Sequence, residues 1–222
     1  MGRLVAALAP EYGCEVAGAI DSRSADGPSS ARWKGVDVAI DFSSPAAVAS
    51  VLPALASRGI NLVVGTTGWQ SHERALREAV DRAQVGMVAA PNFSAGVVML
   101  EAIVGTAAAL FADRPEFGAW IHEAHHAAKK DAPSGTALLL KRTMEGAGYA
   151  GPIDVSSTRA GHIPGSHTVG FDGPAESIAI SHVARDRGTF ARGALLAAQW
   201  VRGKRGWFTM RDVLGLDDQR QT

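Results

Sequence analysis

The chain has 222 residues, 46 % apolar and 20 % charged, enough for one large domain or two small ones around a proper core. Its 22 Lys and Arg balance its 22 Asp and Glu, which argues against a nucleic-acid or membrane-surface binder while leaving room for a local basic pocket. A single cysteine, Cys14, excludes an internal disulfide, and no apolar run reaches the roughly 18 residues of a membrane span, so a soluble cytoplasmic protein is expected.

Residues 16–20 read as an apolar strand ending in Asp21, followed by a Ser/Gly/Pro-rich loop to about residue 30. A second strand is expected over 36–42, then a helix over 45–57 with Pro45 in its first turn and Gly59 beyond its end. A third strand over 61–64 closes in Gly65-Thr66-Thr67-Gly68, and an amphipathic helix over 71–83 takes Ser71 as its N-cap. A fourth strand, 85–90, runs into Pro91-Asn92-Phe93-Ser94. Strand and helix alternating at this spacing predict an α/β fold: a doubly wound, Rossmann-like parallel sheet.

After Ser94 the rhythm changes. A long apolar helix is expected over 95–111, a strand over 120–123 and a helix over 136–145. Three β-like segments follow, 153–158, 167–171 and 177–182, then a helix over 190–201 and a short tail over 206–216. Strands without intervening helices predict a second, α+β domain with a mixed sheet. The domains are accordingly expected at 1–94 with 188–222, and at 95–187.

Ligands of open parallel sheets bind outside the carboxyl ends of the strands. Asp21, the Gly65–Gly68 turn and the Pro91–Ser94 turn occupy such ends in the expected order. A carboxylate accepts two hydrogen bonds from a ribose diol, and glycines with small hydroxyls admit a cofactor close to backbone, so together they favour a dinucleotide site.

The densest chemistry lies between Glu123 and Thr136: His125, His126, Lys129, Lys130, Asp131 and then Ser134-Gly135-Thr136 at a helix start. Histidine exchanges protons near neutrality, lysine meets an anion, and the first amides of a helix bind a carboxylate. Their convergence suits a small dicarboxylic acid. An alternative is a zinc hydrolase, because His122-Glu123-Ala124-His125-His126 contains H-E-x-x-H. That motif needs one helix to align its histidines, whereas 118–121 reads as a strand and no third ligand follows at metzincin spacing.

These residues resemble the dihydrodipicolinate reductase family, also called 4-hydroxy-tetrahydrodipicolinate reductase, over nearly the whole chain. The matching stretches are Met1-Gly2-Arg3, DVAIDFSSP (37–45), GTTGW (65–69), Asn92-Phe93-Ser94 with Gly96-Val97, the block 123–136, RAGHIPGSHTV (159–169) and FTMRDVLGL (208–216). The resemblance implies reduction of 4-hydroxy-tetrahydrodipicolinate to tetrahydrodipicolinate with NADH or NADPH, in lysine and diaminopimelate biosynthesis. It implies His125 as proton donor and acceptor, and Lys129 as a proton donor. His126, Lys129, Gly135 and Thr136, joined by Ser134 at the helix start, would hold the carboxylates. Gly65, Thr66 and Thr67, with Ala90, Pro91, Asn92 and Phe93, would line the nicotinamide site, and Asp21 would meet the adenosine ribose. It further implies a homotetramer built through the second domain's sheet, and no metal. Family members open with a strand and a G-x-x-G-R-M-G-R-like turn that cradles pyrophosphate; this chain begins at what looks like its last three residues. Gly2 and Arg3 would belong to that turn, and the first strand and leading glycines are expected to be missing. A start codon set too late is the expectation, with a truncated, impaired copy as the other reading. Cofactor preference stays open, since Asp21 favours NADH while Arg23 or Arg3 could accommodate a 2′-phosphate.

Overall fold

The computed structural model describes residues 1–22 and 24–216 and divides into two compact units, Met1–Ser94 with the segment from Phe190 onward, and Ala95–Thr189.

The first unit is built on a wholly parallel four-stranded sheet, in the order β1 (Val38–Asp41), β2 (Asn61–Val64), β3 (Gly86–Ala89) and β8 (Gly206–Phe208). These strands are short and β-branched, and alternate residues point to opposite faces. Ala39, Leu62, Val64 and Met87 meet helices α2 (Pro45–Ala56) and α3 (Glu73–Ala83) through Val48, Leu52, Leu55, Leu76 and Val80. On the other face Ile40, with Phe42 just beyond β1, packs with α1 (Gly2–Leu8) and α6 (Gly188–Val201) through Val5, Ala191 and Leu195. Helices thus cover both faces, the doubly wound arrangement expected from the alternation. Helix α2 starts where the sequence placed it, with Ser44 accepting from the Ala47 amide and Pro45 in the first turn.

Two expectations fail in this unit. Residues 16–20 form no strand; Val16 is 49 % exposed, and no described strand pairs with the segment. A strand exists only through its ladder, so apolar β-prone residues without a partner stay irregular. Asp21 therefore sits in a turn closed by Ser24, whose hydroxyl accepts from the Asp21 amide at 2.8 Å, and not at a strand end. Ser71 is not an N-cap: it lies inside a 3-10 turn, Gln70–His72, that precedes α3.

The second unit holds a mixed sheet in the order β5 (Ile153–Arg159), β4 (Gly118–His125), β6 (Ser166–Asp172) and β7 (Ser177–Val183). Strand β4 is central, parallel to β5 and antiparallel to β6. Helices α4 (Ala95–Phe111) and α5 (Gly135–Gly146) pack on one face, burying Leu100, Val104, Leu140 and Met144 against Ile121, Val169 and Phe171. On the opposite face Trp120 lies flat over Gly170, where a Cβ would come within 2.2 Å of the indole. Among the described residues no helix is long and apolar enough to cross a membrane.

Candidate active site

The odd-numbered residues of β4 share one face. Ala119 and Ile121 serve the core beneath the helices; the next two inward positions are Glu123 and His125. The stripe turns polar as it nears the start of α5. Glu123 is fully buried, and every lone pair of its carboxylate has a donor nearby. Arg159, at the end of β5, donates from Nη2 to Oε1 at 2.7 Å and from Nη1 to Oε2 at 3.0 Å. The Ser134 amide donates to Oε1 at 3.2 Å, and His125 Nδ1 lies 2.5 Å from Oε2. Burial pushes the Glu123 pKa up, but hydrogen bonds from Arg159, Ser157 and His125 outweigh it and hold the pKa at about 2. The group is an anion at any working pH.

An ionised Glu123 fixes its neighbour. The carboxylate only accepts, so in the neutral ring His125 Nδ1 carries the proton and Nε2 is left as an acceptor. Beside Nε2 stands Gly165, at a φ of +144°; a Cβ there would lie 3.1 Å from that nitrogen. Burial lowers the pKa of His125, with Lys129 and Arg159 adding to the effect and Glu123 opposing it.

Ser134 caps α5 by accepting from the Ala137 amide at 3.1 Å, and its hydroxyl also lies 3.0 Å from His167 Nε2. The imidazole tautomer sets which of the two donates. His167 is buried, and desolvation together with the nearby His125 lowers its pKa to about 4, so it is neutral near pH 7. The amides of Gly135 and Thr136 belong to the first turn of α5 and have no intrahelical partner. The connecting loop is drawn onto the strand ends by Arg159, whose Nη2 also donates to the Asp131 carbonyl at 2.6 Å. Within it, Lys129 Nζ donates to both oxygens of Asp131, at 2.7 and 2.8 Å. His126 follows the end of β4, half-buried, its carbonyl accepting from the Lys129 amide at 3.1 Å.

In the first unit, the loops after β1, β2 and β3 all leave the carboxyl edge of the parallel sheet. Thr66 is held there by Asp41, to which its hydroxyl donates at 2.5 Å, while Thr66 Oγ1 accepts from the Ser43 amide at 2.8 Å. Gly65 packs under the Phe42 ring, where a Cβ would clash at 2.1 Å, and Thr67 is exposed. Asn92 Oδ1 accepts from the Ser94 amide at 2.8 Å, shaping the turn in which Ala90 and Phe93 are buried and Pro91 is exposed. Gly2 and Arg3 are exposed in the first turn of α1. Asp21 lies in its Ser24 turn, and Arg23 falls outside the described residues.

Two family models cover the chain: dihydrodipicolinate reductase, N-terminus, over residues 1–93, and dihydrodipicolinate reductase, C-terminus, over residues 96–214. The chain belongs to the dihydrodipicolinate reductase family. A 4-hydroxy-tetrahydrodipicolinate reductase of Methanosarcina barkeri is 42 % identical over 196 residues, covering 81 % of this chain and 73 % of its own. That of Thiobacillus denitrificans is 37 % identical, with 97 % of this chain and 95 % of its own covered. Among solved structures, dipicolinate-bound dihydrodipicolinate reductase from Paenisporosarcina sp. TG-14 superposes with a TM-score of 0.69 at 23 % identity, covering 78 % of this chain and 71 % of that one. At that identity the likeness supports the Rossmann-like and mixed-sheet fold alone.

The zinc reading fails on local geometry. H-E-x-x-H lies on a strand and its exit, so His122 points to the face opposite Glu123 and bonds Ser156 Oγ at 2.9 Å. Glu123, His125 and His167 do offer ligand atoms within 4.8 Å of one another. Both oxygens of Glu123 are already committed to a guanidinium, whose charge opposes a cation there.

Sequence reasoning brought His125, His126, Lys129, Ser134, Gly135 and Thr136 onto adjoining elements, but gave no role to Arg159, Asp131, Gly165, His167 or Asp41. Arg159 and His167 were visible as members of the RAGHIPGSHTV stretch. Their pairing with Glu123 and Ser134 depends on strand register, which no local motif encodes.

Proposed function

We propose that this family member reduces 4-hydroxy-tetrahydrodipicolinate to tetrahydrodipicolinate with NADH or NADPH, and that His125 handles the proton. Replacing the ring hydroxyl by hydrogen takes one hydride and one proton and releases one water. The reduced nicotinamide supplies the hydride. The observation that carries the reading is the Glu123–His125 pair beside the start of α5: an imidazole held by its Nδ1 next to amides and a cation suited to carboxylates.

In this reading Lys129, His126 and the Ser134–Thr136 turn hold the two carboxylates. A substrate carboxylate takes the place of Asp131 on the Lys129 ammonium, exchanging one ion pair for another at little net cost. With the substrate held, His125 takes a proton from solvent at Nε2, the Glu123 carboxylate balancing the resulting imidazolium, and delivers it to the reacting region, returning to the neutral Nδ1–H form; Lys129 is a second proton source. The loops 65–67 and 90–93 of the first unit hold the nicotinamide: a hydroxyl oriented by Asp41 and a packed glycine fit close backbone approach to a planar ring. Gly2 and Arg3 are assigned to the cofactor's phosphates and Asp21 to its adenosine ribose. The nucleotide-binding part is drawn at 1–94 with 188–222 and the substrate part at 95–187. A cytoplasmic homotetramer assembled through the second sheet completes the reading, and light scattering of the purified protein tests that assembly.

Purified protein should oxidise NADH or NADPH, followed by absorbance, only when freshly generated 4-hydroxy-tetrahydrodipicolinate is present. His125→Gln should lower kcat by about 10²–10⁴-fold and leave NADH affinity unchanged. Lys129→Ala should lower kcat and raise KM together. Wild-type protein that consumes neither cofactor with this substrate overturns the reading.

A further inference from the structure

Glu123 sits at a junction that the substrate and cofactor assignments do not use. It is completely buried, its hydrogen-bond partners include neither Lys129 nor the helix amides of Gly135 and Thr136, and its four partners come from three elements of the second unit. These are His125 on its own strand, Arg159 on β5, the Ser134 amide at the head of α5 and, opposite it on β5, Ser157. A buried carboxylate without partners costs several kcal/mol, so a fully satisfied one on the core side of a central strand calls for a reason.

The hydrogen-bond pattern supplies that reason. Arg159 donates to both carboxylate oxygens, so Glu123 has no use for a proton of its own. An acceptor-only group 2.5 Å from Nδ1 admits one tautomer of a neutral imidazole. The ring plane is then set by three neighbours: Glu123 at Nδ1, the Gly165 backbone beside Nε2, and His167 edge-on with ring centroids 5.1 Å apart. The same guanidinium reaches on to the Asp131 carbonyl, which ties the loop carrying Lys129 to the same anchor.

We propose that Glu123 is the positioning residue of the reductase reaction, holding His125 in the Nδ1–H tautomer with Nε2 presented to substrate, and that Arg159 keeps it an acceptor. The proposal rests on the role given to His125 above, and it acts through that residue, without contact to the reacting atoms. The groups facing His125 are Glu123 from β4, Arg159 from β5, His167 from β6 and Lys129 from the loop.

Glu123→Gln is the direct test. The amide keeps its oxygen at the Oε1 position, where Arg159 Nη2 and the Ser134 amide both donate, and that leaves its NH₂ at the Oε2 position facing Nδ1. A donor at that place makes Nδ1 an acceptor and puts the single proton on Nε2, and it opposes the imidazolium, which needs a proton on both nitrogens; a neutral Nε2–H is too weak an acid to replace it. The expected result is kcat lower by roughly 10–100-fold with KM for substrate and for NADH within a few-fold of wild type, and the basic limb of the kcat–pH profile displaced to lower pH. In a His125→Gln background, adding Glu123→Gln should cost almost nothing more, because both changes disable one unit.

Nitrogen-15 spectra of histidine-labelled protein read the tautomer without activity. Wild type should show His125 as Nδ1–H with a far-downfield proton, and the Gln variant should show Nε2–H. A wild-type His125 found as Nε2–H overturns the proposal, even if Glu123→Gln fails to fold. So does a Gln variant that keeps wild-type kcat while His125→Gln is impaired, or a double variant whose loss is the product of the two single losses. If His125→Gln itself keeps full turnover, the functional reading of His125 fails instead, and the spectra still decide whether Glu123 sets the tautomer.

Discussion

One hydroxyl at Ser134 serves two partners at once, accepting from the Ala137 amide and hydrogen-bonding His167 Nε2, with the side chain buried. Ser134→Ala removes a helix cap, worth about 0.5–2 kcal/mol, and leaves a buried imidazole nitrogen without its hydrogen-bond partner, worth about 1–3 kcal/mol. A loss on the order of 2–4 kcal/mol is expected in urea unfolding. Ser44→Ala is the control: Ser44 caps α2 by a 3.4 Å bond and is exposed, so its removal should fall near the low end of the capping range. Equal losses at both positions would remove the buried pair from the account. Ser134 also shows how legibility divides at the residue scale. Its cap is local and was readable from Ser-Gly-Thr ahead of an apolar run; its bond to His167 joins residues 33 apart in sequence and was not. Glu123 is the sharper case, since the letters H-E-x-x-H invited a zinc reading that only the strand geometry dismisses.

At the level of elements, period and punctuation carried most of the fold. The 95–111 helix and the 61–64 strand stand where apolar spacing put them, and the switch from alternating strand and helix to consecutive strands marked the second sheet. Residues 16–20 were misread because β-propensity describes fitness for a pleated surface and not the existence of a neighbour to pair with. Close approaches between elements are likewise silent in a single sequence. Helix α6 rests directly on the turn after β3, and a Cβ at Gly193 would stand 1.7 Å from the Phe93 carbonyl oxygen. Alanine improves helix propensity by about 1 kcal/mol, but a backbone clash of that depth forces the elements apart, at about 1–3 kcal/mol or more. Gly193→Ala should therefore lower the melting temperature. Because the turn 90–93 carries assigned nicotinamide contacts, it should also raise KM for NADH more than KM for substrate. An alanine variant as stable as wild type, with unchanged KM for NADH, would show that the helix has room there.

Taken as a whole molecule, the protein has its acid sensitivity concentrated in the second unit, where buried ionisable groups meet. His167 has a folded-state pKa lowered to about 4, against 6.5 for the ordinary side chain. Between those values the unfolded chain binds a proton that the folded chain refuses, so stability rises with pH across this window and is lost as pH falls through it. The shift corresponds to about 3 kcal/mol if fully expressed. Glu123 acts in the same direction lower down: its folded pKa of about 2 lies below the ordinary 4.5, so its contribution is present above pH 4.5 and lost as pH falls toward 2. His125 and His182, both lowered by burial, add to the slope in the histidine window. Urea unfolding at intervals from pH 7 to 4 should show a steady loss of stability in wild type. His167→Gln, which cannot titrate, should be less stable at pH 7 through its lost packing yet fall less steeply between pH 6.5 and 4, keeping the part due to His125 and His182 and, below pH 4.5, to Glu123. Parallel curves for the two proteins would mean that His167 accepts its proton in the folded state, which its burial and the neighbouring His125 oppose.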